Sequence, residues 1–450
     1  MATTPDHDLP QSEHLPRTPG GRIGLIIAGS LAAGLVTALV LVAAPFIPAQ
    51  EGALTGVVLL GFAFGWALLA VLSVRFSDQP QRWAAAPAVF FALAGLISLL
   101  PPGSVLQKGF GWVWPPLLLG LVVWMFVRAH RQLRSRRWLV YPLLVVLGLA
   151  SIGGGYETVR ESIDATAYPA PGQLIDVGGH RLHLNCTGSG SPTVVLEPGH
   201  GEVSSAMGWI APAVARDSRV CVYDRAGRGS SDPADGPQDA AQTAADLHTL
   251  LDRGHIPGPY VLAGHSFGGL YVLTFAATYP DQVAGLVLLD STAPVPGPVP
   301  TSKAGSYDLV GRISALLPAV AHLGAAHLIG DSYDSLPPRS RNEARATVST
   351  AHSVGSYLNE FFVGSRSTHQ AASLVDFAGK PLIVVTAGRE HDAAWMAAQD
   401  KLATLSTNSR HDVVADATHA SLVLNETGAA AASRAIRDVV AAVRTSRPLA

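Results

Sequence analysis

Residues 1–155 contain nearly all the long apolar runs of this 450-residue chain. The runs form five segments that carry no charged residue: Ile23–Phe46, Ala53–Val74, Trp83–Leu100, Gly109–Val127 and Trp138–Gly155. A helix needs about 20 residues to cross the hydrocarbon core of a bilayer, where only helices and closed barrels satisfy every backbone polar group. The sequence therefore predicts an all-α bundle of about five transmembrane helices over residues 23–155, after a cytoplasmic tail over residues 1–22.

The basic residues are distributed unequally among the loops between these segments. If all five segments span, nine arginines lie on the N-terminal side, and only Lys108 and Arg160 lie on the other side. Because loops rich in Lys and Arg stay in the cytoplasm, we expect a cytoplasmic N-terminus and an extracytoplasmic C-terminal domain at the cell membrane. The fifth segment is the weakest, since it ends in Ser151 and Gly153–Gly155. If it does not span, the same rule leaves the C-terminal domain inside.

Several function classes are disfavoured by charge and composition. A net charge of −2 gives no electrostatic basis for binding nucleic acid. The five segments contain no acidic, basic or histidine residue, and transport or proton relay usually needs such groups. We therefore expect the membrane part to be an anchor, with the lipid bilayer as its partner. The oligomeric state has no signature in this sequence.

The chain after the apolar part has a different pattern. Residues 156–172 are polar and include Pro169 and Pro171, which predicts a linker. From residue 173 onwards, strand-like and helix-like stretches alternate, which is typical of a mostly parallel sheet with helices on both faces. The alternation breaks over residues 292–376, where Pro-rich turns and short helix-like pieces occur. This predicts a cap inserted between core segments 173–291 and 377–446.

One short motif in this α/β part carries the chemistry. The sequence Gly264-His265-Ser266-Phe267-Gly268 lies between a strand-like run, Tyr260–Ala263, and a helix-like run, Leu270–Tyr279. In this context G-x-S-x-G is typical of a nucleophile elbow, a sharp turn that exposes the serine at a helix N-terminus. Gly264 and Gly268 are the structural glycines that let neighbouring backbone come close. Ser266 is therefore the candidate nucleophile.

Residues 173–446, about 60% of the chain, resemble the α/β-hydrolase fold superfamily in its cap-bearing serine hydrolase branch. The resemblance does not include the membrane part. It is carried by Pro198–Gly201, Asp224–Asp232, Gly264–Gly269, Val287–Asp290, Thr386–Asp392 and Thr418–His419. It implies an α/β-hydrolase fold with a helical cap, and the order serine, acid, histidine along the chain.

Acyl transfer by a serine needs a base for the hydroxyl proton and a carboxylate that orients the base. His419, after the last predicted strand, is the candidate base. The resemblance places the acid two to four residues after Gly388, and Asp392 is preferred because a short side chain holds an imidazole more rigidly. Glu390 is the alternative acid. Some members of the superfamily carry the acid one strand earlier, where this chain has Asp290.

Further candidate residues surround this predicted triad. The oxyanion hole needs two backbone N–H groups, for which we expect Phe267 and His200. Glu202 is either a ligand for a substrate amine or a solvated loop carboxylate. Asp224 is expected to belong to a structural loop.

The two cysteines of the chain, Cys186 and Cys221, each lie in a strand-like run. An exported location permits a disulfide between them, and the alternative is two buried thiols. No C-x-x-C motif or clustered histidine spacing accompanies them, so we expect no metal site.

These features together predict a membrane-anchored serine hydrolase. It would cleave an ester or related acyl bond of a small-molecule or lipid substrate through an acyl-enzyme intermediate, without a cofactor. Two alternatives on the same fold are an aminopeptidase-like enzyme and a hydrolase of carbon–carbon bonds. A third is a non-catalytic membrane sensor or adaptor. A serine at position 266 excludes the aspartate-nucleophile reactions of related enzymes.

Overall fold

The computed structural model describes residues 21–100, 105–134, 136–234, 236–299, 309–324, 326 and 333–449. The chain divides into two compact units, which are treated separately here. The first lies within residues 1–152, and the second comprises residues 153–450 with residues 49–51. The division falls inside a helix, after Ile152.

The first unit is built from helices. They are α1 (Gly21–Ala43), α2 (Glu51–Phe76), α3 (Ala85–Ser98), α4 (Val105–Gln132) and α5 (Tyr141–Ala167). Among the described residues, four helical stretches are long and apolar enough to cross a membrane: Arg22–Ala43, Glu51–Phe76, Gly109–Gln132 and Arg137–Ala167. The expectation of about five such helices is therefore corrected to four. The predicted segment Trp83–Leu100 contains α3, whose 14 residues are fewer than the roughly 20 that a helix needs to cross a bilayer.

The helices of the first unit approach one another at small residues. A Cβ added to Gly34 of α1 would lie 2.9 Å from the Cα of Gly65 in α2, so a larger side chain would push the two helices apart. Trp66 and Met125 are buried in the apolar core of this unit. Ordinary packing of apolar side chains therefore holds the helices together.

The predicted linker over residues 156–172 is mostly helix, because α5 continues to Ala167. Within this stretch Arg160 pairs with Asp164 at 2.9 Å one turn further on. The helix ends shortly before Pro169, since a residue that precedes proline disfavours the helical conformation. Only residues 168–172 separate α5 from the first strand.

The described part of the second unit contains one eight-stranded sheet. Its strands are β1 (Gln173–Asp176), β2 (Arg181–Thr187), β3 (Thr193–Glu197), β4 (Val220–Tyr223), β5 (Tyr260–His265), β6 (Val283–Leu289), β7 (Leu382–Ala387) and β8 (Ser409–Val414). Their order is β1-β2-β4-β3-β5-β6-β7-β8, antiparallel from β1 to β4 and parallel from there on. The carboxyl ends of the parallel strands meet at one edge, where ligands bind in open α/β sheets.

Helices cover both faces of this sheet, as expected. They are α6 (Ile210–Val214), α7 (Ala240–Arg253), α8 (Phe267–Thr278), α13 (Ala393–Ala403), α14 (Ser421–Leu424) and α15 (Glu426–Thr445). Val194 of β3 lies in one apolar core with Ile436 of α15, and its neighbour Val195 lies in the opposite core with Leu247 of α7. This alternation shows that β3 is buried on both faces, which explains its continuous apolar run.

A helical insertion separates β6 from β7, within the cap predicted over residues 292–376. Its described helices are α9 (Leu309–Ser314), α10 (Leu317–Ala321), α11 (Pro338–Val348) and α12 (Ala351–Ala371). The side chain of Thr350 caps the N-terminus of α12 by accepting a hydrogen bond from the N–H of Ser353.

The two cysteines of the chain lie in neighbouring strands of the sheet. Cys186 of β2 and Cys221 of β4 face each other and are joined by a disulfide.

Candidate active site

Ser266 occupies a sharp turn between β5 and α8. Its backbone angles are φ 53° and ψ −121°, a conformation that costs free energy for any residue with a side chain. Two hydrogen bonds hold it there: the Ser266 N–H donates to Leu289 O at 3.1 Å, and the Thr292 N–H donates to Ser266 O at 3.0 Å. The strained serine is therefore fixed against the carboxyl end of β6.

The glycines on either side of Ser266 permit this turn. A Cβ on Gly264 would lie 2.5 Å from Gly268 O, and a Cβ on Gly268 would collide with Glu197 O at the end of β3. Both positions thus require glycine for close backbone approach, as the motif predicts. The local geometry is that of a nucleophile elbow.

His419 lies in the loop after β8 and is bonded to the carboxylate of Asp290, which follows β6. The distance from His419 Nδ1 to Asp290 Oδ2 is 2.6 Å. The Asp290 side chain is fully buried, and about a third of the His419 side chain is exposed. A hydrogen bond at Nδ1 fixes the ring orientation and leaves Nε2 as the nitrogen that can accept a proton.

The preferred sequence candidate for the acid, Asp392, lies elsewhere. Its Oδ1 accepts the N–H of Trp395 at 2.8 Å, which makes Asp392 the N-cap of α13. The alternative, Glu390, is an exposed residue of the preceding loop, with a φ of 73°. The carboxylate at His419 is that of Asp290, so the preference for Asp392 is corrected. The loop after β7 places the Asp392 side chain at the N-terminus of α13, where it caps the helix instead of facing His419.

Asp290 accepts hydrogen bonds on both carboxylate oxygens. Oδ2 faces His419 and also His391 Nε2, at 2.6 Å each, while Oδ1 accepts Trp395 Nε1–H at 3.0 Å and the Ala387 N–H at 3.3 Å. Burial by itself would raise the pKa of Asp290, but the hydrogen bonds from His419, His391 and Trp395 outweigh it and lower the pKa. The carboxylate is therefore ionised at neutral pH.

The same three side chains bring potential metal-ligand atoms together. One atom each from Asp290, His391 and His419 lies within 4.8 Å of the others. Both imidazole nitrogens, however, point at the same carboxylate oxygen from 2.6 Å. Tetrahedral zinc with bonds of about 2 Å would hold its ligand atoms further apart than this. The arrangement is that of two donors on one acceptor, and we assign it to hydrogen bonding.

The loop after β3 carries His200, one of the two expected oxyanion donors. The N–H groups on either side of it are engaged: Gly199 donates to Glu202 Oε2 at 2.6 Å, and Gly201 donates to Glu360 Oε2 at 2.9 Å. The other expected donor, Phe267, is the first residue of α8, whose N–H has no acceptor within the helix.

The His200 ring lies among aromatic side chains of the elbow and the cap. Its centroid is 5.4 Å from the Phe267 ring and 4.2 Å from the Tyr357 ring of α12. Its Nε2 lies 3.0 Å from the carbonyl oxygen of Tyr357. The His200 side chain therefore joins the loop after β3 to the cap helix α12.

Glu202 matches neither role expected from the sequence, which were a ligand for a substrate amine and a solvated loop carboxylate. Its Oε2 accepts the Gly199 N–H and lies 3.1 Å from His265 Nδ1, and its side chain is largely buried. The other nitrogen of His265 lies 3.2 Å from the carbonyl oxygen of His419. His265 thus faces an acceptor on each side, which favours an imidazolium. Burial opposes both charges, yet their attraction lowers the pKa of Glu202 to about 2 and raises that of His265. The pair of Glu202 and His265 therefore links the loop after β3 to the loop that carries His419.

A buried cluster of charged side chains contacts the loop after β3, which carries His200. Arg225 donates through Nη1 to Glu197 Oε1 at 2.6 Å and through Nε to Glu360 Oε1 at 2.8 Å. Its remaining hydrogen bonds are donated to the carbonyl oxygens of Pro198 at 2.8 Å and Gly199 at 2.7 Å. One guanidinium therefore fixes the backbone next to His200 and holds the Glu360 carboxylate of the cap helix α12.

No sequence pattern indicated Glu360 or the second histidine on Asp290. Glu360 lies in a helix of the cap, where no motif distinguishes it from a solvated carboxylate. His391 lies within the loop examined for the acid, but nothing in its spacing indicated the carboxylate that it contacts. Asp224, in contrast, has the structural place expected for it, since it accepts His183 Nδ1 at 2.8 Å and the Ser204 N–H at 2.7 Å.

Comparison with known proteins identifies the fold family. The family model described as alpha/beta hydrolase fold matches residues 192–426, just over half of the chain. This chain belongs to the α/β-hydrolase fold family. A 2-hydroxy-6-oxononadienedioate/2-hydroxy-6-oxononatrienedioate hydrolase of Cupriavidus pinatubonensis is 34% identical over 131 residues, 27% of this chain and 44% of that protein. The enol-lactonase structure of Burkholderia xenovorans LB400 is 21% identical, with a TM-score of 0.46, and its match covers 60% of this chain and all of that one.

One similarity extends beyond the hydrolase part. An uncharacterised protein of Schizosaccharomyces pombe is 26% identical over 351 residues, 70% of this α/β-hydrolase-fold chain and 63% of the yeast protein. Residues 173–450 cannot supply so large a share, so the match includes part of the N-terminal helical region. The chain spans less than two thirds of the length of this relative.

Proposed function

We propose that the protein is a membrane-anchored serine hydrolase that cleaves an ester or related acyl bond. The observation that carries the proposal is the pairing of His419 Nδ1 with the buried Asp290 carboxylate, at the strand edge where the elbow presents Ser266. His265, the residue before Ser266, lies 3.2 Å from the backbone of His419, which keeps the elbow beside the histidine loop. The proposed triad is therefore Ser266, His419 and Asp290.

The chemistry follows from these positions. Nε2 of His419 takes the proton of Ser266 Oγ as the oxygen attacks the acyl carbon, and Asp290 stabilises the imidazolium that forms. The N–H groups of Phe267 and His200 receive the oxyanion. As the bond to the leaving group breaks, His419 returns the proton to that group. Water then attacks the acyl-enzyme by the same route and releases the acid, so no cofactor is required.

A carbon–carbon bond hydrolase is the second candidate. It is favoured by the 34% identity over 131 residues to the Cupriavidus hydrolase, whose name specifies a 2-hydroxy-6-oxo acid as the substrate. An aminopeptidase is less well supported, because Glu202 already binds Gly199 and His265. A panel of p-nitrophenyl esters, aminoacyl amides and a vinylogous 1,5-diketone acid separates the three. We expect the esters to give the highest kcat/KM.

A fluorophosphonate probe tests the proposed nucleophile directly. In the full-length protein in detergent, we expect the Ser266 hydroxyl to displace fluoride from the probe. One phosphonate ester then forms, on the peptide that contains Ser266. Ser266→Ala is expected to abolish labelling, while Ser230→Ala, a serine of the structural loop, is the matched control and should label normally. Labelling that persists in Ser266→Ala, as read by intact mass spectrometry, would refute Ser266 as the nucleophile. A wild-type protein that does not react with the probe would favour a non-catalytic sensor or adaptor.

We further propose that the hydrolase domain lies outside the cytoplasm. The support is the bias of arginines toward one side and the Cys186–Cys221 disulfide, which is typical of an oxidising compartment. Four crossings would return the chain to the side of its N-terminus, so this topology requires, beyond the four long helices, that the shorter α3 cross a locally thinned bilayer. We expect an alkaline phosphatase fusion at the C-terminus to be active in an E. coli host and a GFP fusion to be dark. A fluorescent GFP fusion with an inactive phosphatase fusion would put the domain inside.

A further inference from the structure

The loop after β3 presents one backbone N–H between two that are already bonded. Gly199 donates its N–H to Glu202 at 2.6 Å. Gly201 donates its N–H to Glu360 of the cap helix α12 at 2.9 Å. Within the described part of the chain, the His200 N–H between them has no hydrogen-bond acceptor. An N–H that the protein leaves without an acceptor is available for a ligand oxygen.

The direction of the His200 N–H is set by the carbonyl group of the same peptide bond. That carbonyl belongs to Gly199 and accepts a hydrogen bond from Arg225 Nη2 at 2.7 Å. The peptide bond is trans and therefore planar, so its C=O and its N–H point in opposite directions. By binding the carbonyl on one side, Arg225 directs the His200 N–H to the other side.

The side chain of Glu360 holds this arrangement from the cap. Its Oε1 accepts the Nε–H of Arg225 at 2.8 Å, and its Oε2 accepts the Gly201 N–H. Glu360 lies on the buried face of α12, where it is 1% exposed. One buried carboxylate therefore fixes both the guanidinium behind the peptide bond before His200 and the N–H of the peptide bond after it.

The charge of Glu360 would oppose an oxyanion if it were unpaired. Burial by itself raises the pKa of Glu360, but attraction to the guanidinium groups of Arg225 and Arg228 outweighs it and lowers the pKa. Both arginines are buried, and Arg228 also donates to the carbonyl oxygen of Ser353 in α12 at 2.7 Å. The carboxylate is therefore ionised, and neighbouring cations balance its charge.

We propose that Glu360 is a positioning residue of the oxyanion hole. Through Arg225 and Gly201 it aims the His200 N–H at the acyl oxygen of the substrate. The inference rests on the proposed function, in which this N–H is one of two oxyanion donors. A donor must be aligned before charge develops, because reorganising it during the reaction costs free energy. The cap helix thus contributes to catalysis through the backbone of the loop after β3, without contact between Glu360 and the substrate.

Steady-state hydrolysis of a p-nitrophenyl ester by full-length Glu360→Gln tests the inference. Glutamine keeps the volume of the side chain, but its single oxygen cannot accept from both Arg225 and Gly201. We expect kcat per active site to fall by about 10²-fold, a loss typical of one missing oxyanion donor. KM should stay near the wild-type value, because acylation and deacylation both pass through an oxyanion and slow together. The active sites are counted from the endpoint of fluorophosphonate labelling.

Inhibition by a trifluoromethyl ketone gives a readout that a merely structural role would not move. Ser266 Oγ adds to the carbonyl carbon, its proton passes to His419, and the carbonyl oxygen becomes an oxyanion in the oxyanion hole. We expect the inhibition constant of Glu360→Gln to rise by about the factor by which kcat falls. A residue that only stabilises the fold would reduce the number of labelled sites and leave kcat per site and the inhibition constant unchanged.

Asn359→Ala is the matched control on the same helix. Asn359 accepts the Gln238 N–H at 3.0 Å, a contact of the cap that does not involve the loop after β3, so its loss should leave kcat per site unchanged. If Glu360→Gln does not fold, Glu360→Asp keeps the charge but is too short to reach both partners, and the same loss is expected. Wild-type kcat per site in the folded variant would overturn the inference. Labelling that persists in Ser266→Ala would instead overturn the proposed function.

Discussion

Asp290→Asn is expected to lower kcat/KM for an activated ester by about 10⁴-fold, because an asparagine favours the wrong tautomer of His419 and does not stabilise its imidazolium. The side chain keeps its volume, so the fold of the buried position is preserved. KM should change little, since Asp290 acts on proton transfer and not on substrate binding. The measurement is steady-state hydrolysis of a p-nitrophenyl ester by the full-length protein.

Asp392→Asn is the matched control for this prediction. Asparagine is as good an N-cap as aspartate, so α13 and Trp395 should remain in place. We expect kcat/KM to stay within about threefold of the wild type. A loss of 10³-fold or more in Asp392→Asn, with little change in Asp290→Asn, would contradict the assignment of the acid to the end of β6.

Arg225→Ala is expected to destabilise the hydrolase unit by about 3–5 kcal/mol, because it leaves two buried carboxylates without their common partner. Glu197 and Glu360 are both buried, and both pair with this arginine. The pKa of Glu197 is raised by burial to about 7, even though Arg225 lowers it. The temperature at which the hydrolase unit of the full chain becomes sensitive to protease should fall by about 10 °C.

The sign of the pH dependence adds to this prediction. Without Arg225 the carboxyl groups of Glu197 and Glu360 have raised pKa values in the folded state, so the folded protein binds more protons than the unfolded chain. Stability then falls as pH rises through the range between the unfolded and folded pKa values. We therefore expect the defect of Arg225→Ala to be larger at pH 8 than at pH 5.5.

Arg181→Ala is the control for charge removal in itself. Arg181 pairs with Asp232 at 2.7 Å, but both side chains are exposed. A solvent-exposed pair contributes at most about 1 kcal/mol. If Arg181→Ala shifted the protease-sensitivity temperature as far as Arg225→Ala, burial of the cluster would not explain the effect.

Local patterns determined much of this protein. The elbow could be predicted because a strained serine between a strand and a helix needs glycine at fixed offsets, and Gly264 and Gly268 meet that need through contacts within a few residues. The buried strands could be predicted because a strand covered on both faces is apolar throughout. The long apolar helices of the first unit could be predicted from the absence of charge over about 20 residues, although the length of α3 was overestimated.

Tertiary structure decided the rest, since it depends on which loops meet. Asp290 and Asp392 both follow strands at the same edge of the sheet, and sequence spacing does not determine which carboxylate points toward the loop after β8. In the loop after β7, Asp392 caps α13, whereas Asp290 directly follows β6 and binds His419, next to the Leu289 carbonyl that accepts the Ser266 N–H. Glu360 reaches Arg225 across 135 residues of chain. Short-range sequence patterns do not indicate such contacts, because the contacts depend on the packing of the cap and not on local backbone preference.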